Sequence, residues 1–206
     1  MKKLAVLISG RGSNLKSIIN ESKKPNCLYI INVVIADNDC IGLQYAKDEN
    51  IPIRIVNYNS VPSREHAEGI IDGVLQLYDI DLVVLAGYMK LLTSYIVSRW
   101  KDKIINIHPA LSPAFTGLHT HERAIERGVK YHGCTVHYVD AGMDTGPIIA
   151  QRVVPVLTSD TASTLANKVL EQEHQILPLV IEGIASGDIL IIDNEVIYRN
   201  NTLGNL

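Results

Sequence analysis

LAVLISGRGSN (residues 4–14) joins an unbroken apolar run to a glycine-bearing turn, and its reading decides the class of fold. Such a run, with no polar alternation, marks a strand buried on both faces of a parallel sheet. Ser13 to Lys23 then places Leu15, Ile18 and Ile19 at helical spacing. The alternation continues outward. YIINVVIA (29–36) predicts a strand, Gly42 to Glu49 a helix and IRIV (53–56) a strand. Ser63 to Tyr78 predicts a longer helix, with Ile70, Ile71, Val74, Leu75 and Tyr78 on one stripe, and DLVVLAG (81–87) a further buried strand. Repeated β-α-β alternation predicts an α/β fold, an open, mostly parallel, twisted, Rossmann-like sheet with helices on both faces.

In the second half, IINIHP (104–109) predicts a strand stopped by Pro109, followed by a Pro/Ser/Thr/Gly-rich loop to Leu118 and a short helix over 119–128. TVHYVD (135–140) alternates like a half-exposed strand, and IIAQRVVPV (148–156) gives another. A helix is expected from Thr161 to Leu177, ahead of Pro178, and weak strands near 189–192 and 195–198. No repeat or linker interrupts the chain, so one domain over 1–206 is expected.

With 206 residues and 47% apolar content, the chain has the length and composition for a sizeable core without disulfide staples. Its formal charge of −3 supplies no basic field for a nucleic-acid partner. Cys27, Cys40 and Cys134 form no CxxC pair and suit a reducing compartment. The apolar stretch Leu4–Ile8 is shorter than the roughly seven residues of a signal sequence. No window approaches the ~18 apolar residues of a membrane span. A cytoplasmic protein without membrane association is expected.

Three segments hold residues able to do chemistry. In SGRGSN (9–14), Gly10 and Gly12 permit close backbone approach, Ser13 or Asn14 is placed to cap the helix, and the N–H groups of the first turn suit a phosphate. In the strand ending Asn106-Ile107-His108, period-2 geometry puts Asn106 and His108 on one face, at the sheet edge where open α/β folds bind ligands. An amide beside an imidazole can stabilise an oxyanion and move a proton. In VDAGMDTGPII (139–149), Asp140 and Asp144 bracket a loop from which a carboxylate can reach His108. Each also reads as ordinary structure: a strand-to-helix turn, a hydrogen-bonded pair, an Asx-rich turn. Five of the seven histidines (108, 119, 121, 132 and 137) lie within 30 residues, yet no HExxH or CxxC spacing accompanies them, so no metal is expected. Cys134 reads as a small buried residue at a strand start rather than a nucleophile.

Taken together, SGRGSN, VVLAGYMKLL (83–92), INIHPALSPAFTGLHTH (105–121), HGCTVHYVDAGMDTGPII (132–149) and QEHQILPLVI (172–181) resemble the folate-dependent glycinamide ribonucleotide transformylases, in order and over essentially the whole chain. The resemblance implies a formyltransferase fold and transfer of a formyl group from 10-formyltetrahydrofolate, as cosubstrate, to the amine of glycinamide ribonucleotide. Carried over by motif, Asn106, His108 and Asp144 would be the catalytic trio, with Asp144 holding a His108 imidazolium. Gly12, Ser13 and Asn14 would take the substrate phosphate and Glu173 the ribose hydroxyls. Arg64, Met89, Lys90, Leu91, Leu92, Asn106 and the loop Asp140, Ala141, Gly142, Met143, Asp144 would contact the folate. On their own, Met89 to Leu92 read as the apolar start of a helix. The resemblance further implies an N-terminal lobe (about 1–100) for the phosphate, a C-terminal lobe (about 101–206) for catalysis, small-molecule partners only, and a monomer or weak homodimer. Ser112, Thr116, Lys90 and Ala110 depart from the family's commoner Leu, Pro, Arg and Ser. Formyltetrahydrofolate deformylases share the Asn-x-His…Asp core, and a non-catalytic folate or nucleotide binder is the other alternative.

Overall fold

The computed structural model describes residues 1–199. A seven-stranded sheet is built from β1 (Lys2–Ile8), β2 (Tyr29–Ala36), β3 (Ile53–Ile55), β4 (Leu82–Leu85), β5 (Ile104–His108), β6 (Tyr131–Tyr138) and β7 (Ile148–Pro155), in the order β3-β2-β1-β4-β5-β6-β7. The first five strands are parallel, whereas β6 and β7 run antiparallel to their neighbours. The helices are α1 (Ser13–Ser22), α2 (Leu43–Asp48), α3 (Arg64–Leu77), α4 (Ser94–Arg99), α5 (Thr120–Glu126) and α6 (Ala162–Ser186). None of the described helices is long and apolar enough to cross a membrane.

Alternate residues of the strands feed two cores. Leu4, Val6 and Ile8 of β1, Val84 of β4, and Ile105 and Ile107 of β5 pack with Leu15 and Ile18 of α1 and with Val169, Ile176 and Val180 of α6. Ala5, Leu7, Val83 and Ile104 point the other way, toward Ile71 and Leu75 of α3 and Ile96 of α4. This second core draws no buried residue from β6 or β7. The face of the sheet that carries Asn106 and His108 is therefore left to loops, and the site forms there.

Two of the expected elements change markedly. The strand expected over 135–140 starts at Tyr131 and is buried from His132 to Tyr138 rather than half exposed. α6 covers one of its faces, and on the other Thr135 is sealed by a polar loop. Its hydroxyl donates to the Ala110 carbonyl (2.6 Å) and accepts from the Ser112 N–H (2.9 Å). Cys134 accordingly sits in mid-strand, fully buried, its thiol pushed up to about 12 by burial. The last long helix does not stop at Leu177 but runs through Pro178 to Ser186 and ends at Gly187 in the left-handed region (φ 81°). Interior proline costs about 3 kcal/mol. Continuing the helix buries Val180, Ile181 and Ile184, each worth roughly 1.5–3 kcal/mol, which outweighs that cost. β8 (Ile189–Ile192) and β9 (Glu195–Tyr198) form where expected and, among the described residues, pair with each other around Asp193 and Asn194 at positive φ.

Leu177 is fully buried against the larger core. Leu177→Ala is expected to cost about 2–5 kcal/mol, read as a lowered midpoint in denaturant unfolding.

Candidate active site

The antiparallel pairing of β5 and β6 sets Asn106 opposite His137. The Asn106 amide nitrogen lies 3.2 Å from His137 Nε2, and His137 Nδ1 lies 2.8 Å from the Tyr138 carbonyl. A carbonyl only accepts, so Nδ1 carries the proton and Nε2 accepts from Asn106. The neutral ring suits its place, because burial holds the His137 pKa below its ordinary value.

His108, the last residue of β5, is held between two acceptors. Its Nε2 donates to the Phe115 carbonyl at 2.9 Å, and its Nδ1 faces Asp144 Oδ2 at 3.4 Å. The same carboxylate oxygen accepts the Gly117 N–H at 2.8 Å, and Oδ1 lies 3.8 Å from His137. Acceptors on both sides suit a doubly protonated ring. Phe115 and Asp144 reach these positions with left-handed backbones (φ 54° and 55°), a conformation that costs a non-glycine residue on the order of 1–3 kcal/mol and concentrates at functional sites.

These groups border a cavity of about 490 Å³, walled on one side by Met89–Leu92 and on the other by residues of the 117–122 and 140–144 loops. Met89–Leu92 is not the start of a helix: α4 begins only at Ser94, capped by Thr93. The segment is fixed from behind. Arg64 donates to the Leu91 carbonyl, and the buried Glu68 accepts from the Thr93 N–H (2.7 Å) and hydroxyl. Met89 N–H donates to Ser9 Oγ at 2.8 Å, and Lys90 lies 3.5 Å from Asp37.

Ser9 opens the turn into α1. Neither Ser13 nor Asn14 caps that helix; its N-cap is Gly12, left-handed at φ 70° and making no side-chain cap hydrogen bond. No side chain competes there for an incoming anion. Glycine is required: a Cβ on Gly12 would stand 2.6 Å from Gly42 Cα. Asn14 instead turns inward and donates to Glu173 Oε2 on α6 at 2.7 Å. Burial pushes the Glu173 carboxyl up to about 7, against the opposing pull of the Asn14 hydrogen bond.

Across residues 2–181 the chain matches the formyl transferase family model. The chain belongs to the formyl transferase family. Among curated relatives of this formyl transferase, the phosphoribosylglycinamide formyltransferase of Haemophilus influenzae is 41% identical over 94% of this chain and 92% of its own length. The human trifunctional purine biosynthetic protein adenosine-3 is 42% identical over 93% of this chain, which spans only 19% of that relative's length. Glycinamide ribonucleotide transformylase 1 from Symbiobacterium toebii superposes with a TM-score of 0.94, at 40% identity, covering 97% of this chain and 95% of that one.

Of the residues singled out in the sequence of this formyl transferase, Asn106, His108, Asp144, Met89–Leu92, Asp140, Gly142 and Met143 share the cavity. Arg64 lies outside it, gripping the backbone of Leu91, and Ala141 is an exposed residue of the 140–144 loop that does not line it. Gly12 to Asn14 and Glu173 form a separate cluster at the start of α1. Among the described residues no three His, Cys, Asp or Glu side chains gather as a metal site. His132 is buried edge-on against Phe115 and His121, and burial lowers its pKa to about 4. The role of His137, the Phe115 carbonyl and Glu68 was not visible in the sequence. Only His137 left a signal, the period-2 spacing that puts it on the face of Thr135.

Because the folded Glu173 carboxyl titrates near 7 against an ordinary 4.5, the folded state holds its proton more tightly than the unfolded chain. Its contribution is greatest below about 4.5 and is lost as pH rises through about 7. Unfolding free energies across that window should fall more steeply for the wild type than for Glu173→Gln; parallel curves would contradict the assignment.

Proposed function

We propose that this chain transfers the formyl group of 10-formyltetrahydrofolate to the amine of N1-(5-phospho-D-ribosyl)glycinamide, giving the N-formyl product and tetrahydrofolate in de novo purine biosynthesis. The observation that carries the reading is the convergence of Asn106, His108 and Asp144 on one cavity, beside a helix N-terminus without a side-chain cap.

In this reading the C-terminal lobe (about 101–206) supplies the chemistry. The amine nitrogen attacks the formyl carbon and the carbonyl oxygen gains negative charge; the bond to N10 of the folate then breaks, N10 leaves with a proton, and the proton shed by the amine restores the one that the His108–Asp144 pair gave up. Asn106 has two amide hydrogens; one serves His137, and the second is available to the developing oxyanion. The neutral His137 matters here, since it can accept from the amide and so fix its orientation. His108, held at Nε2 by the Phe115 carbonyl, stabilises the same oxyanion by its charge, and its Nδ1 proton, facing Asp144 at 3.4 Å, is the one delivered toward the departing nitrogen. Formyl transfer of this kind asks for charge stabilisation and proton traffic; every step is assigned here to these side chains.

The N-terminal lobe (about 1–100) takes the phosphate on the backbone of Gly12, Ser13 and Asn14, with Glu173 accepting from ribose hydroxyls. The apolar wall of Met89, Leu91 and Leu92 suits a flat heterocycle, with Lys90 and the 140–144 loop framing it and Arg64, outside the cavity, holding the Leu91 carbonyl. Both partners are small molecules.

Purified protein mixed with 10-formyltetrahydrofolate should release tetrahydrofolate only when the amine substrate is added. Release of formate and tetrahydrofolate without the amine would instead indicate a deformylase, and binding without turnover a folate-binding module. His108→Ala is expected to lower kcat by about 10²–10⁴, with far smaller changes in either KM. Equal losses in binding and turnover would overturn the role given to His108.

A further inference from the structure

We propose that Arg123 is a positioning residue for the catalytic pair, clamping the 115–118 loop whose backbone holds His108 on one side and Asp144 on the other. The proposal rests on the formyl-transfer reading and extends it to a side chain outside the cavity lining.

Four successive residues divide their contacts between the site and Arg123. The Phe115 carbonyl takes the His108 Nε2 proton at 2.9 Å, and the Gly117 N–H reaches Asp144 Oδ2 at 2.8 Å. The carbonyls of Thr116 and Leu118 go to Arg123 Nη1, at 2.7 and 3.3 Å. The guanidinium also lies 5.6 Å from the centre of the Phe115 ring, within cation–π range. One half-buried cation on α5 thus touches the ring of Phe115, the residue between Phe115 and Gly117, and the residue after them.

The loop has reason to need such a clamp. Phe115, Gly117 and His119 all carry positive φ (54°, 78° and 57°), and only the glycine adopts that conformation freely. No strand ladder supports the segment, and Thr116 has no ring to fix its φ. Rotation of the Phe115 peptide toward an ordinary backbone would withdraw the acceptor from His108 and drag the Gly117 N–H from Asp144. Among the described residues Arg123 makes no ion pair, so its charge goes to carbonyls and an aromatic face. Both bonds leave one nitrogen, Nη1, while the guanidinium lies against the Phe115 ring, a combination that a compact ammonium on a shorter stem does not reproduce.

The test compares wild type, Arg123→Ala and Arg123→Lys in steady-state kinetics, alongside thermal melts of each. Arg123→Ala should lower kcat on the order of 10- to 100-fold, the scale of a misplaced catalytic group. Its KM for the ribonucleotide should stay within about twofold, because that substrate's phosphate is assigned to the α1 turn, outside the 115–118 loop. Arg123→Lys keeps a cation and N–H donors but loses the guanidinium plane and its reach, and should fall between the two. An active wild type with Arg123→Ala within about twofold in kcat overturns the role. So do equal losses in both variants that track the fraction of folded protein. A wild type that transfers no formyl group overturns the underlying reading, and this role with it.

Discussion

β6 lies antiparallel beside β5, and that reversal in an otherwise parallel sheet governs the site. It puts His137 directly across from Asn106, and the loop after β6 returns Asp144 to the end of β5 where His108 stands. A parallel neighbour would need a crossover connection after β5 and would set a different residue opposite Asn106. The reversal also ends helical cover on one face: α3 and α4 pack against the earlier strands, and the remaining area is closed by loops. The cavity is the space those loops enclose.

Closing a cavity with loops makes the polar bookkeeping strict, since a buried donor or acceptor without a partner costs about 1–3 kcal/mol. The chain meets this with backbone. Phe115 and Gly117 serve His108 and Asp144, Tyr138 serves His137, and Ala110 and Ser112 close over Thr135. Several residues hold left-handed conformations to do so. Strain at these positions is balanced by charge-assisted and carbonyl hydrogen bonds converging on the same few residues. The α1 turn solves a related problem by steric means, with Gly12 and Gly42 in contact so that no side chain stands over the helix N-terminus.

The regular elements were legible in the sequence because each is fixed by local pattern. β2 matches its predicted bounds, and β1, α1, α3 and β5 lie within a residue or two of theirs. Where expectation and structure part, a tertiary contact outweighs the local signal. Burial of Val180, Ile181 and Ile184 carries α6 through Pro178, and a polar loop seals the face of β6 that alternation had assigned to water. The cap of α1 moved for the same reason: Asn14, a good capping residue by type, is drawn inward by Glu173, 159 positions away.

The order of residues alone fixed the α/β class, the glycine turn before α1, and the placement of Asn106 and His108 on one face of a strand end, all consequences of side-chain periodicity and φ preference over a few residues. The partners of those residues came from the fold. No local rule brings His137 opposite Asn106, the Phe115 carbonyl onto His108, or Arg123 onto the loop between them. Each contact joins segments separated in the chain, and its geometry follows from strand direction, register and the packing of α5 and α6, which are set by burial of the whole core.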